Sequence, residues 1–253
     1  MVFLDPVLNP VFQPLLNKSP FLVILIVSLL ISLMITLVYK LMTNQSEMKR
    51  LKEEQKTFQK RMKELRSNPD EMMKVQKEAM KANMQYMKQS FKPTLVTMIP
   101  IILIFTWMSG HLAYEQIYPD EDYSITAMMK EGLQGEVELV VDDGTTLKSD
   151  AKQEIVNRAV TWNLKSAEGT HTLTVKTADA QQQKDVIITT DLKYSEASTQ
   201  YQHSDIEQIN VNYKKLKPLG KLSILGWQPG WLGIYFIFSL VFSLGLRKLM
   251  KIY

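Results

Sequence analysis

Three uncharged, apolar runs interrupt an otherwise charge-rich chain of 253 residues. Ser19 to Tyr39 is dominated by Leu, Ile and Val, Pro93 to Tyr114 is uncharged apart from the titratable His111, and Leu222 to Leu246 carries no charge at all. A hydrocarbon core about 30 Å thick is crossed by roughly 20 helical residues, so each run is long enough to span. The pattern predicts an α-helical membrane protein with three transmembrane helices, over 19–41, 93–114 and 222–246. It leaves an N-terminal segment 1–18, a polar segment 42–92, a larger segment 115–221 and a tail 247–253.

The segment 42–92 reads as a helical hairpin. Met48, Leu51, Gln55, Phe58, Met62 and Leu65 alternate steps of three and four, the seam of a coiled coil continuing from the first span. Ser67-Asn68-Pro69-Asp70-Glu71 breaks that helix and starts another, with Asn68 as N-cap, Pro69 at the first helical position and Glu71 at capping-box spacing. Met73, Lys77, Met80, Met84, Met87 and Phe91 then form the predicted seam of the returning arm, leaving Met72 off it. Ahead of the first span, Phe3, Leu4, Val7, Leu8, Val11, Phe12, Leu15 and Leu16 have the spacing of a helix lying along the membrane surface, but Pro6, Pro10 and Pro14 argue against a helix.

Segment 115–221 alternates apolar and polar residues over Glu136 to Val141, Thr172 to Thr177, Val186 to Tyr194 and Ile206 to Lys214. It predicts an inserted, mainly-β domain built as a compact sandwich. Asp143-Gly144 marks a hairpin turn and Ala178 to Lys184 a longer loop. Asp150 to Trp162 fits either a helix or a strand. Asp142, Asp143, Asp150 and Asp191 lack the spacing of a calcium loop and read as a solvated acidic surface.

Charge orients the chain. Fourteen of the thirty Lys and Arg residues lie between Lys40 and Lys92, against seven acidic ones, and Arg247, Lys248 and Lys251 follow the third run. Because Lys and Arg near span ends stay on the cytoplasmic side, the hairpin and C-terminus are expected inside. The N-terminus and the β-rich segment, with twelve basic and eighteen acidic residues, are expected outside a plasma membrane. Nothing before Ser19 resembles a cleavable signal. Cysteine is absent, and no Ser/His/Asp order, zinc spacing or phosphate-binding loop stands out, so neither an enzyme nor a cofactor is expected.

Chemistry inside the membrane rests on two stripes. Ser28, Ser32, Thr36 and Lys40 recur every four residues in the first span, and Ser239, Ser243 and Arg247 do so in the third. At 100° per residue each column drifts only about 40° per step and ends in a cation on the cytosolic side. Taken singly such columns pack helices. Together they predict a wet, positively charged groove opening to the inner leaflet. Eight of the fifteen methionines lie between Lys40 and Lys92. Their flexible side chains suit either the hairpin seam or a surface for varied apolar segments, with Met72, Met80, Met84 and Met87 as candidate client contacts.

A span, a cytosolic hairpin rich in Lys and Met, then two spans, the last with Trp231-Leu232-Gly233-Ile234-Tyr235, Ser239, Ser243 and Leu246-Arg247-Lys248-Leu249, resembles an archaeal member of the YidC/Oxa/Alb insertase superfamily and is similar to the third subunit of the endoplasmic-reticulum membrane protein complex. The resemblance covers residues 1 to about 114 and 222–253. It implies an insertase or chaperone whose groove passes polar flanks of nascent membrane proteins. The partners it implies are nascent chains, the ribosome or signal-recognition-type targeting machinery, and a small membrane subunit. Bacterial relatives carry an arginine well inside the membrane and five core spans, whereas Lys40 sits at the edge here and only three spans are present. The rival expectation is a membrane-anchored sensor whose β domain binds a ligand and whose coiled coil relays the signal through a dimer.

Overall fold

The computed structural model describes residues 4–223 and 226–252. Phe3, Ile224, Leu225 and Tyr253, which the readings above include, lie outside the described residues. The chain divides into two compact units, one of residues 21–106 and 232–253, the other of residues 1–20 and 107–231.

Four helices build the first unit: α2 (Pro20–Met42), α3 (Gln45–Glu64), α4 (Pro69–Leu112) and α5 (Trp231–Leu249), with α1 (Asp5–Lys18) preceding them in the chain. Among the described residues, α2, α4 and α5 are long and apolar enough to cross a membrane. The third span begins at Trp231 and not at Leu222, because Gly226 takes a left-handed φ of 82° and Pro229 biases the residue before it away from the helical region. Its 19 residues still reach about 28 Å at 1.5 Å per residue.

The first span does not run straight into the hairpin. The helix stops at Met42, and Asn44, in an extended conformation, restarts it by accepting the backbone N–H of Glu47 at 3.2 Å. The second break falls where the capping residues predict it, with α4 beginning at Pro69 after Asn68. From there α4 stays helical for 44 residues, through both Pro93 and Pro100.

The two arms are antiparallel, held by Gln55 donating to Asn83 at 3.1 Å, by Asn44 N–H donating to Gln89 at 3.3 Å, and by Arg61 facing Glu78 at 4.0 Å. Met48 and Leu51 are fully buried on α3, as the heptad reading requires. On α4 the seam lies elsewhere than expected. Val75 and Ala82 are buried and Met72, Ala79 and Tyr86 half-buried, while Met73, Met80, Met84, Met87 and Phe91 all face outward. Val75 and Ala82, and not the methionine column, take the buried positions of α4, so apolarity alone pointed to the wrong face.

In the second unit two antiparallel sheets enclose one apolar core. One has the order β3-β5-β1-β9-β8 (Thr145–Leu147, Ala159–Ser166, Asp122–Met129, Ile206–Val211, Ser198–Gln200), the other β4-β2-β6-β7 (Lys152–Glu154, Glu136–Val140, Gly169–Lys176, Gln181–Ile188). Ile125, Trp162 and Ile209 from the first sheet and Leu139, Val175 and Val186 from the second are buried in that core. The predicted sandwich is therefore present, with differences in its connections. Asp143-Gly144 joins strands of different sheets and is not a hairpin. The expected loop Ala178 to Lys184 shrinks to a tight turn, since Lys176 already pairs with Gln181. The ambiguous stretch becomes β4 and the start of β5, split by Asn157 and Arg158, both with positive φ. Strand β7 ends at Ile188, short of the expected Tyr194.

Two local devices mark the sandwich. His171 Nε2–H donates to the Ala167 carbonyl at 2.9 Å and Nδ1 lies 2.9 Å from an Asp142 carboxylate oxygen. Gly144 abuts that ring so closely that an added Cβ would sit 2.5 Å from it. At the base of the sandwich, entering and leaving chain pair with each other: Tyr114 bridges Lys215, Glu115 N–H donates to Lys214 and Leu216 N–H to Ala113. Tyr114, Tyr194 and Tyr213 cluster around this stem with centroids 5.5–5.8 Å apart in edge-on and tilted pairs.

The N-terminal segment corrects a further expectation, because α1 is a helix despite its prolines. Pro6 occupies the first turn, where no amide is needed, and Pro10 and Pro14 follow at four-residue spacing on the exposed side, away from buried Phe12 and Leu16.

Candidate functional site

The polar column of α2 is turned inward. Ser28, Ser32 and Thr36 are at most 3% exposed, which follows from their shared face with Ile24 and Ile31. Ser28 Oγ donates to the Leu25 carbonyl at 2.8 Å and Thr36 Oγ1 to the Ser32 carbonyl at 2.6 Å. Those two hydroxyls therefore satisfy their protons within their own helix, the behaviour of packing residues.

Ser32 differs. It lines a cavity of about 270 Å³ together with Ser239 and Ser243 of α5, walled by Ile35, Tyr235 and Leu240 among others. Ser239 Oγ donates to the Phe236 carbonyl at 3.0 Å. The two columns thus meet at three serines, while Ser28 and Thr36 are buried and do not line the cavity. Lys40 and Arg247 are both exposed. Arg247 lies over the ring of Tyr39, its guanidinium carbon 5.3 Å from the centroid, and the Tyr39 hydroxyl is 3.1 Å from Ser90 Oγ. Tyr39 thereby joins α2, α4 and α5 at one level. Its packing against a cation four positions past Ser243 was not readable, since cation–π partners depend on approach between helices.

A second feature lies mainly on α4. Met80, Met84 and Met87 are 62%, 54% and 58% exposed, and Phe91 62%. Met84, Met87 and Phe91 border a cavity of about 610 Å³ with Met42, Lys88 and Lys92. Met72 is half-buried on the inner side of the same helix, in line with Val75. Stepping by three and four, the outward column Met80, Met84, Met87, Phe91 continues without a phase break into Leu95, Met98 and Ile102, also exposed. One apolar stripe thus runs from the hairpin into the span.

His111 is stacked on Trp107 at 4.8 Å and lies 3.6 Å from Asp5 of α1. In the sandwich, partial burial opposes the charge of Asp142, but hydrogen bonds from His171 and Thr145 outweigh it and hold the carboxyl below its ordinary range. Asp191 accepts from Asn17 at 2.8 Å. Among the described residues no group of His, Asp and Glu is arranged to hold a metal ion.

A family model described as "Integral membrane protein EMC3/TMCO1-like" matches residues 2–136, more than half of the chain. That stretch takes in α1 to α4 and β1. No curated protein and no solved structure matches.

Proposed function

Because the chain belongs to the EMC3/TMCO1-like family of integral membrane proteins, we propose that it is a non-enzymatic insertase, easing the polar flank of a nascent membrane protein past the bilayer while the client's apolar helix enters lipid. The observation that carries this reading is the gathering of Ser32, Ser239 and Ser243 on one cavity between two helices long enough to span. Intramembrane polar residues face a cavity or a partner, and a charge at the bilayer centre costs about 2.5–3.5 kcal/mol on insertion scales. A hollow that holds a few waters lowers that cost. Its volume suits side chains and not a helix about 10 Å across, so a small partner subunit completes the path.

In this reading Ser28 and Thr36 are packing residues, while Lys40 and Arg247 stand at the cytosolic mouth and favour acidic flanks. Met80, Met84 and Met87 receive the client's apolar helix, and the stripe through Phe91 to Ile102 leads it from hairpin to lipid. Met72 serves the inside of the hairpin. The hairpin and C-terminus face the cytosol, where nascent chains arrive from a ribosome or targeting factor, and the sandwich lies outside. The sensor reading needs the hairpin seam to join two chains, and Met48, Leu51, Val75 and Ala82 are already buried within one.

The test is reconstitution of Lys40→Glu with Arg247→Glu. Insertion of clients with short acidic translocated tails should fall while basic-tailed clients keep their rate. Ser32→Leu with Ser239→Leu should slow both. Normal accumulation of the double-glutamate protein with unchanged insertion of acidic tails would overturn the charged groove.

A further inference from the structure

Helix α1 is written as a four-residue repeat: Asp5-Pro6-Val7-Leu8, Asn9-Pro10-Val11-Phe12, Gln13-Pro14-Leu15-Leu16. Repeats of four on a helix form columns that drift by about 40° per step, so each kind of residue keeps to its own side. The polar column is engaged by the protein. Asp5 lies 3.6 Å from His111, Asn9 accepts from the Trp107 indole N–H at 2.8 Å, and Gln13 donates to the Leu192 carbonyl at 3.2 Å. Asn17, the next member, donates to Asp191 and accepts from Leu192 N–H at 3.0 Å. Phe12 and Leu16 are buried beside that column, with Phe12 and Trp107 centroids 5.5 Å apart.

What remains outward is apolar. Val7 is 65% and Val11 61% exposed, and Pro6, Pro10 and Pro14 are exposed with them. A helix on a water-facing surface turns its polar side out; this one has it turned in. Two independent features fix where the open face lies. A single extended residue, Ser19, separates α1 from the spanning helix α2. The helix also packs on Trp107 and His111, in the last turns of the spanning helix α4.

We propose that α1 is an interfacial helix lying in the leaflet on the sandwich's side, with Val7, Val11 and the proline row seated among lipid. The occupant of the open face is bilayer, continuous with the lipid around α2, and not a protein partner. The prolines set the depth. Pro10 and Pro14 have no amide hydrogen, so the carbonyls of Pro6 and Pro10 lack their helical donors and need headgroups or water. That holds the helix at the boundary between headgroup and acyl chain, where Lys18 at its end meets lipid phosphates. The inference rests on the chain being a membrane protein and is independent of the insertase reading.

The absence of cysteine makes the test direct. Nitroxide labels are placed singly at Val7→Cys and Val11→Cys in the full chain in liposomes, with Ser149→Cys as the water reference and Leu30→Cys on α2 as the reference for deep lipid. Collision with oxygen and with a water-soluble nickel chelate is read by power saturation. Both α1 labels should favour oxygen over the chelate at a depth shallower than Leu30. Chelate access equal to that at Ser149 would overturn the proposal, as would a label reached by neither reagent, which would mean that protein covers the face. Since the two positions are exposed and read independently, a folding defect in one leaves the other decisive.

Discussion

Replacing Met80, Met84 and Met87 by serine separates the outward face of α4 from its seam. Fully burying a methionine is worth roughly 1.5–3 kcal/mol, and these three are 54–62% exposed. A client helix that covers them therefore gains about 1–2 kcal/mol from each. Ordering a flexible side chain costs at least about 0.5 kcal/mol, which leaves roughly 1–4 kcal/mol for the set, a loss of about fivefold to several hundredfold in affinity. Stability should hardly move, because nothing buried is removed. Met72→Ser should do the reverse, loosening the hairpin where Met72 lines up with Val75 and leaving client affinity nearly intact. The assay is titration of the purified chain in nanodiscs with a fluorescent apolar helix, beside thermal unfolding by circular dichroism. If the triple serine variant binds within twofold of the parent, the exposed methionines are not a client surface. If Met72→Ser lowers affinity without lowering stability, the inner and outer faces are wrongly assigned.

Further expectations follow from the same geometry. A cysteine at Ser149 should react with an impermeant maleimide from outside intact cells and one at Ser67 should not; the opposite pattern would invert the topology. Gly144→Ala forces a Cβ to within 2.5 Å of the His171 ring and should destabilise the sandwich by about 1–3 kcal/mol, seen as a lower melting temperature that His171→Ala partly restores. Because the Asp142 carboxyl is held below its ordinary range in the fold, its contribution is complete above about pH 4 and is lost as pH falls through the folded value. Asp142→Asn should flatten that acid limb of stability, and an unchanged limb would mean that the His171 contact contributes nothing there.

The chain announces its spans because a lipid-facing helix must be apolar along its whole length, and it announces the break at Asn68-Pro69 because capping chemistry is local. It conceals whatever depends on which neighbours meet. The apolar periodicity of α4 marks the methionine column as its seam, whereas Val75 and Ala82 are the buried positions, since periodicity gives the columns of a helix and not which of them is covered. Strand β1 passed unnoticed because Asp122 to Met129 mixes polar and apolar residues whose inward alternation, Tyr123, Ile125, Ala127 and Met129, includes a small side chain. The prolines of α1 suggested a broken helix when read one at a time, and only their common phase shows that the lost hydrogen bonds fall on one side. At the candidate site the serine spacing gave both columns, but which serines share a hollow depends on the approach of α2 to α5, and Ser28 and Thr36 hid behind the same periodicity.

The paired stem at Tyr114 and Lys215 makes the sandwich a cassette. Its two ends lie side by side, so the distance that a replacement must bridge is that of neighbouring strands, about 5 Å. A loop of a few residues, or an entirely different fold with adjacent termini, would close the same gap at similar entropic cost, since that cost grows only slowly with length. The spanning helices and the β module are thereby free to diverge at separate rates, and a module could be gained, exchanged or lost at this one seam.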